Sequence, residues 1–467
     1  MIYLIKKIKN EKNKCRIMKL SRVLPYAVVV ITYFVVLHIF WPSQWNSGVR
    51  IAIDAFFANP LGNWLFIFPF IGLMFLLALI IGYGIFFLAS FGKGYRMKEE
   101  YYPDITIMIP SKNEKVLLEQ TLDSLLKTTY PKEHIQLILL TGESTDGTTE
   151  FSQQFAEKYG SMMDIKTNSE VPTNPGKPAK LNLGIEYIKH DIVVFYDCGN
   201  ILVPECLTHL VNPFQFEQYN AVIGSLSVKN WKDNVLTRGI MLEYGLCCGG
   251  GLLFETRNRL GCSAFLFGRN IALRTKYLKK YGGFNENSLT EDLYLQVLLN
   301  LDGVDILFVP QAKAYDTVPD NVEVLKMQRT RWMAGFTLDA PELMEMEGEE
   351  KTGKAIIIPR NLTMFIFANT DTNFLIPIVL SVLFFFISEY YLLIWTLSWI
   401  IFNVGYFINA IRKYSDKHYS LLFYWPVSGW IHFYHFIRQF TLPEDMSWEQ
   451  TPVILEKQII ETENLSK

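Results

Sequence analysis

Metal-type cysteine spacing is missing from this chain. Its six cysteines include no C-x-x-C pair, and its seven histidines form no H-E-x-x-H or similar ligand set. A chain of 467 residues needs no disulfide staples. Cys15, Cys198, Cys206, Cys247, Cys248 and Cys262 therefore read as reduced thiols in a cytosol-facing domain. A strong charge excess is missing too. The formal net charge is −2, which gives no sign of the clustered basic face that nucleic-acid binding needs. Charge of either sign is scarce: charged residues make up 19%, against about 25% in soluble domains. Hydrophobic residues reach 50% and aromatic residues 15%. The deficit of charge is local, so it points to a soluble domain joined to apolar segments. No cleavable signal peptide is evident, because the first apolar run is too long and no small-residue cleavage site follows it.

That run, residues 23–41, is uncharged and long enough to cross a bilayer, for which about 20 apolar residues suffice. Lys6, Lys7, Lys9, Lys12, Lys14, Arg16, Lys19 and Arg22 precede it, placing this end in the cytoplasm by the positive-inside rule. A second uncharged stretch covers 55–92, with its best core at 64–91, and returns the chain to Lys93, Arg96 and Lys98. Apolar segments resume at 372–388 and 390–411, split by Glu389 and followed by Arg412, Lys413 and Lys417. Residues 419–437 are uncharged but interrupted by Pro426, Gly429, His432 and His435, which suits an interfacial or re-entrant segment. The expected organisation is a basic cytoplasmic terminus (1–22), two transmembrane helices (23–92) and a cytoplasmic domain (93–345). An interfacial segment (346–371), two more transmembrane helices (372–411) and an interfacial or re-entrant segment with the C-terminal tail (412–467) follow. The whole reads as a multi-pass integral membrane protein.

The central region alternates short β-branched runs with helical stretches, the mark of an α/β sheet. Residues 105–110 and 135–140 read as strands, 117–126 as a helix between them, and 192–196 as a further strand. In open parallel sheets ligands bind at the carboxyl ends of strands. Glu143 and Asp197 lie at two such ends, so substrate is expected there, while Asp146 suits a helix cap. Thr290 precedes Glu291 and Asp292 as an N-cap should, and acids in a first turn suit the helix dipole. Read alone, Gln328-Arg329-Thr330-Arg331-Trp332 is a basic-aromatic marker of a membrane interface. Residues 238–262, with Cys247-Cys248-Gly249-Gly250-Gly251, read as a loose helix or turn.

The order of these pieces says more than any one of them. The 107–130 segment, the Ser144-Thr145-Asp146-Gly147 turn, Gly176-Lys177-Pro178-Ala179-Lys180-Leu181-Asn182, and Asp197 follow one another. Then come Phe267-Gly268-Arg269-Asn270, Thr290-Glu291-Asp292 and Gln328-x-x-Arg331-Trp332. Over about residues 100–340 this ordered set resembles glycosyltransferase family 2, especially its membrane-bound, mostly processive branch of cellulose, chitin, hyaluronan and poly-N-acetylglucosamine synthases. The resemblance implies a GT-A fold, an α/β domain on a mixed, mostly parallel sheet, inserted between N- and C-terminal transmembrane helices. It also implies an inverting mechanism. Glu143 would lie near the nucleotide base, Lys177 near the diphosphate, and Asp197 would begin the Asp-x-Asp motif. Asp292 would be the general base, Gln328 and Arg331 would hold the diphosphate leaving group, and Trp332 would pack against the acceptor sugar. The Trp448-x-x-Thr451-Pro452 sequence resembles the tail of related synthases.

These residue types suit the chemistry. Glycosyl transfer builds positive charge on the sugar and negative charge on the departing diphosphate, so a base is needed on one side and cations on the other. Arginine's planar fork matches phosphate oxygens, and an aromatic face gives a sugar ring an apolar platform.

The chain departs from the family where Gly199 replaces the second Asp-x-Asp acid and Gly142 replaces the first acid of the Asp-Asp-Ser turn. A Mg²⁺ or Mn²⁺ ion, which wants oxygen ligands, is then expected on Asp197 and Asn200 with the diphosphate. The donor is expected to be a UDP-sugar ahead of a GDP-sugar, and the acceptor a growing β-linked polysaccharide beside membrane lipid. A ceramide glucosyltransferase-like glycolipid synthase and a non-catalytic synthase subunit remain the alternatives.

Overall fold

Continuous runs of Ile, Leu and Val, buried over their whole length, form the strands that organise the molecule. The computed structural model describes residues 20–39, 67–142, 144–174, 176–363, 370–386 and 390–438, with isolated positions at 54, 57–59, 62 and 442. Glu143 and the 448–452 segment lie outside the described residues. The strands are β1 (Ile105–Pro110), β2 (Ile135–Leu140), β3 (Asp164–Asn168), β4 (Ile192–Phe195), β5 (Ile201–Leu202), β6 (Ala221–Val228), β7 (Ile271–Arg274) and β8 (Ile306–Asp316). They make one sheet in the order β3-β2-β1-β4-β7-β6-β8-β5. Pairing is parallel from β3 through β4 and again between β6 and β8, and antiparallel where β7 and β5 join. β1 and β2 begin and end where the sequence places them, and the 192–196 strand stops one residue earlier, at Phe195. A strand buried on both faces needs cover on both, and the helices Lys115–Leu126 and Lys177–Ile185 supply part of it. This is a GT-A-like α/β fold with a mostly parallel sheet.

Two backbone features set up the site. The β6/β8 register shifts between Gly224 and Ser225, and the buried Asn270 side chain bridges the bulge. Its Nδ2 donates to Ser225 O at 3.1 Å and to Ala312 O at 2.9 Å. A bulge of this kind bends the strand and re-aims its end, which here carries Asp316. Helix Lys177–Ile185 lies close over β1 and β2, because a Cβ on Gly184 would sit 2.4 Å from Met108 Cε.

Helices Leu20–Ile39, Ile67–Ala89, Thr370–Phe386 and Tyr390–Tyr414 occupy the four stretches expected to span a membrane. Among the described residues, Leu392–Tyr414 alone is long and apolar enough to cross by length and composition, so paired flanking spans are not shown. Ser21–Tyr33, Phe75–Ala89 and Pro377–Phe386 are shorter apolar helices. Val30, Ile80, Tyr83, Leu392, Trp395 and Trp399 bury one another inside this bundle. Val379, Val382, Phe385 and Phe386 face outward. Lys413 ties the bundle to the α/β domain through Glu255 at 3.0 Å, and Asn409 joins two bundle helices by donating to Ser90 O at 2.9 Å.

Residues 419–437, expected at an interface or re-entrant, form a 3₁₀ turn (Tyr419–Tyr424) and the helix Trp425–Arg438. That helix packs on helix Val235–Glu243, where a Cβ on Gly239 would sit 2.6 Å from Val427 Cγ1. Residues 238–262 form the end of that helix, a π-helical turn (Tyr244–Cys248) and the helix Gly251–Arg259, the loose helical course expected of them.

Candidate active site

Lys177 stands at the centre of a cluster of acids. Gly176, at φ +126°, starts its helix, and Pro178 at the second position needs no hydrogen bond there. Lys177 Nζ lies 2.7 Å from Asp197 Oδ1 and 3.2 Å from Glu291 Oε1, and donates to Gly268 O at 2.8 Å. Burial works against its charge, but Asp197, Glu291 and Asp292 outweigh that and hold its pKa above the usual lysine range. Burial pushes Glu291 up, with Lys177 pulling the other way.

Asp292 follows on the first turn of helix Glu291–Leu301. Its Oδ2 accepts from the Gly268 N–H and its Oδ1 from the Leu293 N–H at 2.8 Å. Thr290 occupies the N-cap position, yet its side chain makes no capping bond, contrary to expectation. Its backbone N–H donates to Ser288 Oγ instead, and Ser288 in turn donates to Asp339 at 2.6 Å. Helix Val322–Glu345 supplies both Asp339 and the Gln328/Arg331/Trp332 face, residues three and four apart that share one side. Arg331 Nη1 donates to Leu289 O at 3.2 Å. Burial lowers its pKa, and Glu291, Asp292 and Asp197 oppose that shift, so the guanidinium sits within the field of all three acids. Gln328 is half-buried on the same face. Trp332 lies over the guanidinium of Arg329, 4.3 Å from its ring centre. Arg329 is 1% exposed and pairs at 2.6 Å with Glu243, which is 0% exposed.

Arg269 and Asp316 join Asp197 from the other side. Arg269 Nη2 lies 2.6 Å from Asp316 Oδ2, its Nη1 is 3.8 Å from Asp197 Oδ2, and it donates to Tyr244 OH at 3.0 Å. Burial raises the Asp316 pKa, against the pull of Arg269. Asp316 and Tyr244 are unmarked in the sequence, since β8 and the π-helical turn that carry them have no motif of their own.

The metal side is thinner than the family pattern, for reasons visible in the backbone. Gly199 has φ +89°, where an aspartate would be strained. A Cβ on Gly142 would lie 2.0 Å from Glu170 O, so no acid fits there. Asn200 is buried; its Oδ1 accepts from the Asp197 N–H at 3.1 Å, and its Nδ2 lies 3.5 Å from Asp316 Oδ1. That amide oxygen, expected as a metal ligand, accepts this one hydrogen bond within the turn. Asp197, whose Oδ1 pairs with Lys177 at 2.7 Å and whose Oδ2 lies 3.8 Å from Arg269, is the carboxylate of this turn that would ligate a divalent cation. Asp146 does what a cap should: Oδ1 accepts from Thr148 N at 3.0 Å and Oδ2 from Lys115 N at 3.1 Å.

Residues 103–335 match the family model described as glycosyltransferase like family 2. The Bacillus subtilis (strain 168) protein named probable glycosyltransferase YdaM is 31% identical over 51% of this chain and 56% of its own length. A beta-monoglucosyldiacylglycerol synthase from Nostoc sp. is 28% identical over 50% of this chain and 49% of its own. A poly-beta-1,6-N-acetyl-D-glucosamine synthase from Staphylococcus epidermidis is 25% identical over 50% of this chain and 54% of its own. The chain thus carries a glycosyltransferase domain of family 2, and this segment is an enzyme domain of that class. The chain spans about half the length of the curated relatives it matches.

Proposed function

We propose that this protein is an inverting, nucleotide-sugar-dependent glycosyltransferase whose acceptor is held at the membrane. The observation that carries this reading is the gathering of a fixed carboxylate and three cations at one site. Asp292 Oδ2 and Oδ1 accept from the Gly268 and Leu293 N–H groups, Lys177 donates to Gly268 O beside it, Arg331 lies within its field, and Arg269 approaches Asp197. The acceptor hydroxyl attacks the anomeric carbon as Asp292 takes its proton, and the bond to the nucleoside diphosphate breaks on the opposite face. Lys177, Gln328 and Arg331 receive the negative charge that leaves with the diphosphate. Asp197 would hold Mg²⁺ or Mn²⁺, which supplies further neutralisation of the diphosphate. Trp332, propped by Arg329, offers the acceptor its platform. Glu143 is assigned to the nucleotide base, where a UDP-sugar is preferred to a GDP-sugar. The catalytic domain is assigned to the cytoplasmic side of a multi-pass protein.

Between the two acceptor classes we favour a single addition to a membrane lipid over a secreted polysaccharide. Among the described residues, Tyr83, Trp395 and Trp399 pack with Val30, Ile80 and Leu392 inside the apolar bundle, as a compact lipid-facing bundle would. The outward Val379, Val382, Phe385 and Phe386 suit lipid contact. The likeness to a glucosyldiacylglycerol synthase supports the same choice. Membranes containing the protein are given labelled UDP- and GDP-sugars with Mg²⁺ or Mn²⁺, and the product is partitioned and sized. An organic-extractable, singly glycosylated lipid is expected. A large water-soluble product supports the polysaccharide instead, and no transfer from any donor contradicts both.

A further inference from the structure

Cysteines and a histidine with no ligand spacing in the sequence meet in the fold. The π-helical turn Tyr244–Cys248 presents Cys247 and Cys248, and helix Trp425–Arg438 brings His432 to them. One donor atom from each lies within 4.8 Å of the others. Glu243, which ends the preceding helix, stands beside Cys248 and His432 as a candidate fourth donor. Its Oε1 is 3.2 Å from Cys248 Sγ and 3.4 Å from His432 Nε2, while the two sulfurs are 3.6 Å apart.

Three of the six edges of a tetrahedral site can be compared with these separations. With Zn–S of about 2.3 Å and Zn–N and Zn–O near 2.0 Å, its edges are about 3.8 Å for S···S, 3.5 Å for S···O and 3.3 Å for O···N. Each observed separation lies within about 0.3 Å of the matching edge. Glu243 and His432 are buried and Cys247 is 1% exposed, so the corner excludes most competing water. Charge also balances. Two thiolates and a carboxylate around a divalent ion leave one negative charge, and Arg329 lies 2.6 Å from Glu243 Oε2 to meet it.

We propose that Glu243, Cys247, Cys248 and His432 form a tetrahedral site for Zn²⁺, distinct from the hard-cation position at Asp197. Soft thiolate ligands select zinc over the Mg²⁺ or Mn²⁺ that suits the donor diphosphate. The ion clamps the C-terminal helix to the catalytic domain. It also fixes Glu243, and with it Arg329 beneath Trp332, so it is a positioning element for the acceptor platform.

The test needs no turnover. The full chain in detergent, stripped by a chelator, is titrated with Co²⁺, whose thiolate complexes show a sulfur-to-metal charge-transfer band that oxygen sites lack. One equivalent should produce that band with tetrahedral ligand-field intensity, and Zn²⁺ should abolish it. Cys248→Ser and His432→Gln should each weaken Co²⁺ and Zn²⁺ binding at least ~100-fold, above the ~10–100-fold typical of outer-shell changes. Untreated protein should carry one zinc per chain by elemental analysis. If the unmodified protein shows no charge-transfer band, or if the band survives unchanged in Cys247→Ser/Cys248→Ser, the proposal fails. Because the unmodified protein gives the first answer, a variant that misfolds does not blur it.

Discussion

Replacing Gly268 with alanine should cripple the donor side of the cleft while leaving the fold intact. A methyl group there would lie 2.9 Å from Lys177 Nζ, 3.4 Å from Asp292 Oδ2 and 3.7 Å from Glu291 Oε1. Carbon cannot rest that close to the ammonium, so Lys177, the flexible partner, swings aside. Its bond to Gly268 O and its ion pairs with Asp197 and Glu291 then stretch together. Each charge-assisted contact is worth about 1.5–3 kcal/mol. Weakening them in part should cost about 1.5–3 kcal/mol of transition-state stabilisation, roughly a 10- to 100-fold fall in kcat/KM. The assay is initial-rate transfer from labelled donor in a double-mutant cycle with Lys177→Met. If Gly268→Ala acts by displacing the lysine, the double variant should be no worse than Lys177→Met alone. Full additivity of the two losses, or Gly268→Ala kinetics within about twofold of the parent, would refute the reasoning.

Removing the buried partner of Glu243 should cost far more stability than surface changes do. In chelator-stripped protein, Arg329→Met leaves a carboxylate without its guanidinium at 0% exposure and should lower stability by about 3–5 kcal/mol, with Glu243→Gln recovering much of it; thermal unfolding in detergent reads both. Asp339 is a pH-dependent liability, because burial raises its carboxyl pKa to about 6 despite the Ser288 bond. A raised acid binds its proton more tightly when folded, so this contribution is fully present below the unfolded value near 4 and lost as pH rises through 6. Asp339→Asn should therefore raise Tm more at pH 7.5 than at pH 5, and an equal shift at both would count against the assignment. Arg269→Lys cannot span both Asp316 and Tyr244 as the planar fork does; donor KM should rise about tenfold, and an unchanged KM in steady-state assays would remove Arg269 from the donor side.

Much of the frame was readable because it rests on local chemistry. The β1 and β2 boundaries follow from unbroken apolar runs between turn residues, and Asp146 caps because its side chain reaches amides two residues on and across the loop. What escaped the sequence depends on long-range geometry. Asp316 matters only because a bulge bridged by Asn270 re-aims β8, and nothing near position 316 announces this. His432 and Cys248 are far apart in the chain and meet only when the C-terminal helix docks against Gly239. The second bond of Asn200 was hidden for the same reason: its amide oxygen, expected beside the metal, also accepts the Asp197 N–H within the turn. Gly142 and Gly199 read as losses from a motif until the backbone showed one position without room for a side chain and another in the left-handed region.

The central claim is that Asp292 removes the acceptor proton, and Asp292→Asn tests it most directly. The amide keeps the shape of the carboxylate, so the Gly268 and Leu293 contacts can persist in part. Transfer from labelled nucleotide-sugar and donor binding by equilibrium titration are measured on the same preparation. The kcat should fall by about 10²–10⁴-fold, with donor Kd changed less than about threefold. Near-normal turnover in Asp292→Asn would contradict it.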